Sequence, residues 1–113
     1  MLVGNDVVDL RDPENQPEAI HPRFDARVFT WNERARILAA SSPHRMRWAL
    51  WAAKESAYKV ARKLDSRVYF SPRAFRVRIP GGDTDGPKPY LAEVSHAAGH
   101  FQVCLEATDE WVH

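Results

Sequence analysis

HRMRWALWAAKESAYKVARKL, residues 44–64, carries the strongest structural signal in the sequence. Apolar side chains recur there at helical spacing and form one stripe: Met46, Leu50, Ala53, Ala57, Val60, Ala61 and Leu64. A second face mixes aromatic and charged side chains: Trp48, Trp51, Glu55, Tyr58, Lys59 and Arg62. The spacing predicts one long amphipathic helix. Its second face places a carboxylate among aromatic rings, with cations one or two turns further on.

A shorter helix is predicted just before the long one. The segment from Thr30 to Glu33 has the form of a capping box, in which Thr30 accepts from the Glu33 amide and the Glu33 side chain reaches back. This helix is expected to run to about Ala40. Three prolines exclude a continuous helix between Arg11 and Pro22, so we expect a loop there.

The remaining segments have the pattern of β-strands. Residues 2–10 are a short apolar run, and residues 74–79 alternate strictly, with apolar side chains inward and two arginines outward. Residues 90–94 and 101–105 predict two more strands. Together the elements predict a single α+β domain over residues 1–113. In it, antiparallel β-strands pack against one long helix and one short helix.

Composition and charge limit the classes of function. Lys and Arg number 16 against 15 for Asp and Glu, so the formal net charge of +1 argues against a dedicated nucleic-acid binder. Cys104 is the only cysteine, which excludes an intrachain disulfide and favours a reducing compartment. The first six residues include an acid, Asp6, and contain neither a basic leader nor a long apolar run. We therefore expect a cytoplasmic protein with neither a membrane nor a nucleic acid as its partner.

Two acids are candidates for a metal site. Asp6 lies on the predicted first strand and Glu55 on the mixed face of the long helix, and two such carboxylates can converge on a hard cation. Magnesium prefers one or two protein carboxylates and completes its shell with water and phosphate oxygens. Simpler interpretations stay open at this point: Glu55 pairs with Lys59 on the helix surface, and Asp6 is a turn or strand-end acid. His96 and His100 are four residues apart but not on a helix, so we do not expect zinc there.

Three separated segments resemble the 4'-phosphopantetheinyl transferase superfamily, in the family's order. Residues 4–10 resemble its opening Gly-x-Asp-Ile-Val-Glu-Ile strand, and residues 27–33 resemble its Arg-x-Phe-Thr-x-x-Glu helix start. Residues 51–59 resemble its Trp-Ala-x-Lys-Glu-Ala-x-x-Lys motif. The resemblance implies a magnesium-dependent enzyme of the holo-acyl-carrier-protein-synthase type. Such an enzyme transfers 4'-phosphopantetheine from coenzyme A to a serine of an acyl (or peptidyl) carrier protein, in lipid or polyketide biosynthesis.

The resemblance also implies roles for residues at matching positions. Asp6 and Glu55 match the magnesium ligands. Glu55 and Lys59 are the expected catalytic residues, and Lys59 either touches phosphate or assists in deprotonating the acceptor serine. Arg45, Lys54 and Lys59 are expected to bind coenzyme A. The attacking serine belongs to the carrier protein, so the chain needs no nucleophile of its own.

The C-terminal half matches the family less closely. Residues 86–90 and 94–96 are faint versions of a Gly-Lys-Pro segment and a Ser-x-Ser-His strand, and they lie closer together than in the family. The alternative is that only the first part of a longer member is matched, in which case His96 has no active-site role. The corresponding alternative function is a non-catalytic or partial member that serves as a coenzyme A and carrier-protein binding or assembly module. Compact members bind coenzyme A between subunits, so we expect a homo-oligomer, with a trimer favoured.

Overall fold

The computed structural model describes residues 8–80, 90–106 and 111–112. These residues contain three α-helices: α1 (Phe24–Val28), α2 (Trp31–Ala39) and α3 (Pro43–Leu64). They also contain five strands: β1 (Val8–Asp9), β2 (Arg76–Arg78), β3 (Tyr90–His96), β4 (Gly99–Leu105) and β5 (Trp111–Val112). Short 3-10 helices span Pro13–Asn15, Pro17–Ala19 and Pro72–Ala74. The predicted α+β class is confirmed.

Strands β2, β3 and β4 form an antiparallel sheet in that order. Val94 of β3 lies opposite Val77 on one side and Phe101 on the other. The turn between β3 and β4 ends at Gly99, whose φ of +149° is a conformation that residues with a Cβ rarely adopt. A separate antiparallel pair joins β1 to β5, with Val8 opposite Val112.

The alternation predicted around β2 is confirmed. Phe75 and Ile79 are buried, whereas Arg76 and Arg78 are exposed. Arg78 donates from Nη2 to the Glu93 carboxylate on β3 at 2.7 Å. This exposed pair contributes little to stability, so the inward apolar side chains are what hold β2 against the core.

Helix α3 packs against α2 and the strands and is buried on more than the one predicted stripe. Its buried residues are Met46, Trp48, Ala49, Leu50, Ala52, Ala53, Lys54, Ser56, Ala57 and Ala61. The many alanines let neighbouring elements approach the helix closely. Leu64 was expected on the apolar stripe, but it is 61% exposed. That expectation was wrong because α3 ends at this residue, so no further turn covers it.

The segment before α2 differs in detail from the prediction. Residues 11–22 form no continuous helix, as expected, but they include the first two 3-10 helices. Helix α1 was not predicted because five residues are too few to show a helical repeat. No helix in the described part of the chain combines the length and the apolar character needed to cross a membrane.

Candidate active site

The carboxylate of Glu33 closes the capping box of α2 and reaches beyond it. The Thr30 N–H donates to Glu33 Oε1 at 2.8 Å, and the Glu33 N–H donates to Thr30 Oγ1 at 3.3 Å. The other carboxylate oxygen, Oε2, accepts from the backbone N–H of Val77 at 2.6 Å. Glu33 is only 2% exposed. Its side chain is therefore a buried link between α2 and β2 as well as a helix cap.

The ammonium group of Lys54 meets this carboxylate from α3. Lys54 Nζ lies 2.8 Å from Oε1 and 3.0 Å from Oε2 of Glu33. It also donates to the carbonyl oxygens of Pro72 at 2.9 Å and Phe75 at 2.6 Å. An ammonium has three N–H donors, and one carboxylate and two carbonyls occupy all three. Lys54 thus has no donor left for a phosphate. The sequence resemblance implied that Lys54 binds coenzyme A, and these internal contacts do not fit that role.

Lys54 and Glu33 depend on each other electrostatically. Burial lowers the pKa of Lys54 because it disfavours the charged ammonium, while the Glu33 carboxylate raises it and Arg73 lowers it further. Lys54 is 0% exposed. A buried charge that loses its partner is strongly destabilising, so neither member of this pair can be removed alone without a large cost.

Glu55 and Lys59 lie on a different face of α3 from Lys54. An α-helix turns about 100° per residue, so the side chains of Lys54 and Glu55 leave α3 about 100° apart. Lys59, one turn later, lies within about 40° of Glu55 and about 6 Å further along the axis. Glu55 is partly buried and Lys59 is exposed. The structure therefore brings Glu55 and Lys59 together and separates both from Lys54.

Arg45 lies in the first turn of α3 and is partly buried. It precedes Glu55 by ten residues, which is about 15 Å along the helix axis. Lys59 lies one turn beyond Glu55, about 21 Å from Arg45, so one phosphate group cannot contact both of these cations. An extended ligand that carries phosphates at separated positions can.

Asp6 lies outside the described residues. Strand β1 begins two residues later at Val8, which is buried and pairs with Val112 of β5. Strand β5 packs against α3, the helix that carries Glu55. The first strand of the chain is thus connected to α3 through one neighbouring strand.

The donors that the structure describes fit magnesium better than zinc. Within residues 8–80, 90–106 and 111–112, no three His, Cys, Asp or Glu side chains are grouped so that they could hold a metal ion. Structural zinc requires four such ligands. Magnesium needs only one or two carboxylates, because water and substrate phosphates complete its shell. Glu55 supplies a carboxylate of that kind.

An open groove of about 370 Å³ borders the C-terminal end of α3. Its lining residues are Asp65, Arg67, Val68, Tyr69, Ser71, Ala74 and His96. The His96 ring stacks on Phe75, with centroids 4.0 Å apart and planes inclined by 13°. His96 Nδ1 accepts from the Ala98 N–H at 2.9 Å, so in the neutral ring the proton is on Nε2. The side-chain and backbone N–H groups of Arg67 hold the pKa of Asp65 below its usual value.

Packed aromatic rings connect this groove to the face of α3 that carries Glu55. Trp51 contacts Phe70 with a centroid distance of 5.4 Å, and Phe70 contacts Tyr58 at 5.0 Å. Tyr58 in turn contacts Phe75 at 6.1 Å, and Phe75 carries the stacked His96. Edge-on and tilted ring pairs of this kind are stabilising, so the groove wall and the helix face are joined by one continuous set of packed rings.

Sequence reasoning missed the Glu33–Lys54 pair and the groove. One feature of the sequence could have indicated the pair. A capping box uses one carboxylate oxygen of Glu33 and leaves the other oxygen for a further partner. The groove had none, because residues 65–71 carry no motif. The groove forms only when α3, the third 3-10 helix and β3 come together.

Comparison with known proteins supplies the family. A family model described as the 4'-phosphopantetheinyl transferase superfamily matches residues 2–111. The chain belongs to the 4'-phosphopantetheinyl transferase superfamily. A holo-[acyl-carrier-protein] synthase of Methylorubrum extorquens is 32% identical over 115 residues, which cover 96% of this chain and 83% of that protein. The superfamily match includes β3 and β4 and ends at the first residue of β5, so the resemblance is not confined to residues 4–59.

Proposed function

We propose that this chain transfers the 4'-phosphopantetheine group of coenzyme A to a serine of an acyl (or peptidyl) carrier protein, in a reaction that depends on magnesium. The observation that carries the proposal is the common face of α3 on which Glu55 and Lys59 lie, in a chain that belongs to the transferase superfamily. The name of the Methylorubrum relative, a holo-[acyl-carrier-protein] synthase, supports the carrier protein as acceptor.

Glu55 and Asp6 are the proposed magnesium ligands. When bound, the ion supplies positive charge to the diphosphate of coenzyme A, on which negative charge builds as the bond to the leaving group breaks. Glu55 is partly buried on the longest helix, so its carboxylate is held on a rigid element. A rigid support favours a metal with strict octahedral geometry.

Lys59 and Arg45 are the proposed phosphate contacts. Lys59 is exposed one turn from Glu55, where its ammonium neutralises charge on the reacting phosphate. Arg45 lies about 15 Å from Glu55 and about 21 Å from Lys59 along α3, which suits a phosphate at the adenosine end of coenzyme A. A guanidinium binds phosphate through two parallel N–H donors. Lys54 is left out of this set because its donors are used within the protein.

The proposed reaction needs no covalent intermediate on this chain. The serine oxygen of the carrier protein attacks the phosphorus that bears the pantetheine arm. The P–O bond to the adenosine-bearing phosphate breaks, and the serine proton is lost to solvent or to a basic group at the site. Lys59 holds the reacting phosphate and Arg45 holds the adenosine end of the donor, so that the leaving group is in line with the attacking oxygen.

We further propose that the protein self-associates, with a trimer favoured. Trp31 and Leu38 are 77% and 82% exposed and lie two turns apart on one face of α2, which gives another subunit an apolar surface to cover. Light scattering on the purified protein measures the oligomer directly.

We also propose that the protein is cytoplasmic and acts in lipid or polyketide biosynthesis. Its free cysteine, Cys104, is exposed, which suits a reducing compartment.

Mass spectrometry of an apo carrier protein incubated with this chain, coenzyme A and magnesium tests the proposal. We expect a mass gain of one phosphopantetheine on the carrier protein. The gain should be absent when the acceptor serine is replaced by alanine and when a chelator removes the metal. A folded preparation that modifies none of several carrier proteins would instead support a binding or assembly module.

A further inference from the structure

Lys54 is anchored inside the protein, and the next residue along α3 is Glu55. We propose that Glu33 and Lys54 are positioning residues. Their ion pair fixes the rotation of α3 about its axis and thereby places the Glu55 carboxylate for a divalent metal. This inference rests on the proposed function, in which Glu55 is a metal ligand.

The contacts of Lys54 come from several elements. Glu33 belongs to α2, Pro72 begins the third 3-10 helix, and Phe75 directly precedes β2. Glu33 is itself held by backbone N–H groups of Thr30 and Val77. The ammonium of Lys54 therefore joins α3 to a carboxylate that cannot move without breaking bonds to both α2 and β2.

The other buried contacts of α3 near this point are poorly suited to fix its rotation. Ala52, Ala53, Ser56 and Ala57 surround Lys54 on the helix and are all buried. Small side chains present a smooth surface, and dispersion contacts have little directional preference. Hydrogen bonds weaken steeply as they are bent or stretched. The hydrogen-bonded pair is thus the main polar restraint on the rotation of α3 beside Glu55, in addition to the ring contacts that Trp51 and Tyr58 make with Phe70.

A small rotation of α3 would matter at the metal. A side-chain end lies about 6 Å from the axis of a helix, so a rotation of about 10° moves it by about 1 Å. Magnesium ions in general hold their ligand oxygens at about 2.0–2.1 Å from the metal, in nearly ideal octahedral geometry. A displacement of about 1 Å in an active site can cost on the order of 100-fold in rate. Loosening the pair should therefore weaken metal binding before it unfolds the protein.

The test uses manganese as a probe for the divalent metal, with coenzyme A present, and measures free Mn²⁺ by electron paramagnetic resonance. One variant, Glu33→Asp, keeps both charges but shortens the carboxylate arm. A second, Glu33→Gln with Lys54→Met, removes both charges together and so avoids a lone buried ion. Leu105→Ala is the matched control, because it weakens the core at a β4 residue that is 1% exposed and outside the pair. Circular dichroism melts establish that each variant is folded and how far each is destabilised.

We expect both pair variants to bind Mn²⁺ at least about tenfold more weakly, the loss typical when a supporting partner of a metal ligand is removed. The Mn²⁺ affinity of the Leu105→Ala control should stay within about twofold of wild type, even though the control loses as much thermal stability as the pair variants. In the transfer assay the magnesium activation constant should rise in the pair variants, while the KM for the carrier protein stays unchanged.

Wild-type Mn²⁺ affinity in either folded pair variant overturns the positioning role. An equal loss of affinity in Leu105→Ala also overturns it, because the effect would then follow from stability alone. If wild type transfers phosphopantetheine and a pair variant keeps wild-type Mn²⁺ affinity, the positioning role is refuted and the proposed function stands. Absence of both transfer and Mn²⁺ binding in wild type refutes both.

Discussion

The Nζ atom of Lys54 lies 2.8 Å from Oε1 of Glu33, although 21 residues separate them in the sequence. Glu33 ends the segment that resembles the family's helix start, and Lys54 belongs to the segment that resembles its Lys-Glu motif. Both side chains are fully or almost fully buried. The two segments are therefore joined by a buried ion pair, and the lysine next to the proposed metal ligand belongs to the structural framework.

Removal of the Lys54 charge alone should destabilise the protein strongly. Lys54→Met leaves the Glu33 carboxylate buried without its cation, which typically costs about 3–5 kcal/mol in the free energy of unfolding. The double variant with Glu33→Gln should cost less, because no lone ion remains. Urea denaturation followed by circular dichroism measures both values. Equal costs for the single and double variants would contradict a stabilising interaction between the two charges.

The N-terminal cap of α2 should by itself contribute a measurable amount to the free energy of unfolding. Thr30→Ala removes the Oγ1 acceptor of the Glu33 N–H and should lower the free energy of unfolding by about 1 kcal/mol. Thr30→Ser keeps the hydroxyl and is the matched variant, so it should recover most of that loss. If serine is as destabilising as alanine, the lost methyl group and not the cap is responsible.

Local patterns in the sequence predicted much of the fold. Helix α3 was found because a 3.6-residue repeat persists over some twenty residues, and the capping box at Thr30 is a signal within four residues. The alternation around β2 was equally readable. The two-residue strand β5 was missed, because two residues carry no period.

The site was only partly predictable for the same physical reason. Glu55 and Lys59 share a helix face, and that relationship follows from their spacing of four. The burial of Lys54 depends on Glu33 and on the carbonyl oxygens of Pro72 and Phe75, which are 18 to 21 residues away along the chain. No pattern around Lys54 itself distinguishes a buried structural lysine from an exposed phosphate ligand.

His44 should make the protein less stable as the pH falls. Its ring lies edge-on to Trp48, and within the described residues neither of its ring nitrogens has a hydrogen-bond partner. Burial lowers the pKa of His44 below its ordinary value of 6.5, Arg47 lowers it further, and Glu18 acts in the opposite direction. As the pH falls through 6.5, the unfolded chain therefore takes up the proton first, and stability is lost.

The test of this effect compares wild type with His44→Gln. Urea midpoints are measured at about pH 7.5 and about pH 5.5, on either side of the ordinary histidine pKa. Wild type should lose more stability between these two values than the variant does. An identical loss in both proteins would show that His44 does not contribute to the acid sensitivity.

Lys59 should matter for the reaction far more than a neighbouring lysine on the same helix. Lys59→Ala should lower kcat/KM for transfer on the order of 100-fold, the loss typical when one group that stabilises transition-state charge is removed. Lys63→Ala, one turn later, should stay within about threefold of wild type. Both lysines are exposed, so neither change should affect folding. Similar losses in the two variants would indicate a general effect of positive charge at this end of α3.

Glu55→Gln tests the central claim most directly, because it replaces the proposed metal ligand with a neutral side chain of the same shape. The measurement is the initial rate of phosphopantetheine transfer against magnesium concentration, with Glu93→Gln as the control at another partly buried carboxylate. We predict that Glu55→Gln loses at least about 100-fold in rate, while the control stays close to wild type with an unchanged magnesium dependence. A folded Glu55→Gln protein that transfers at the wild-type rate, with the wild-type response to magnesium, would contradict the account.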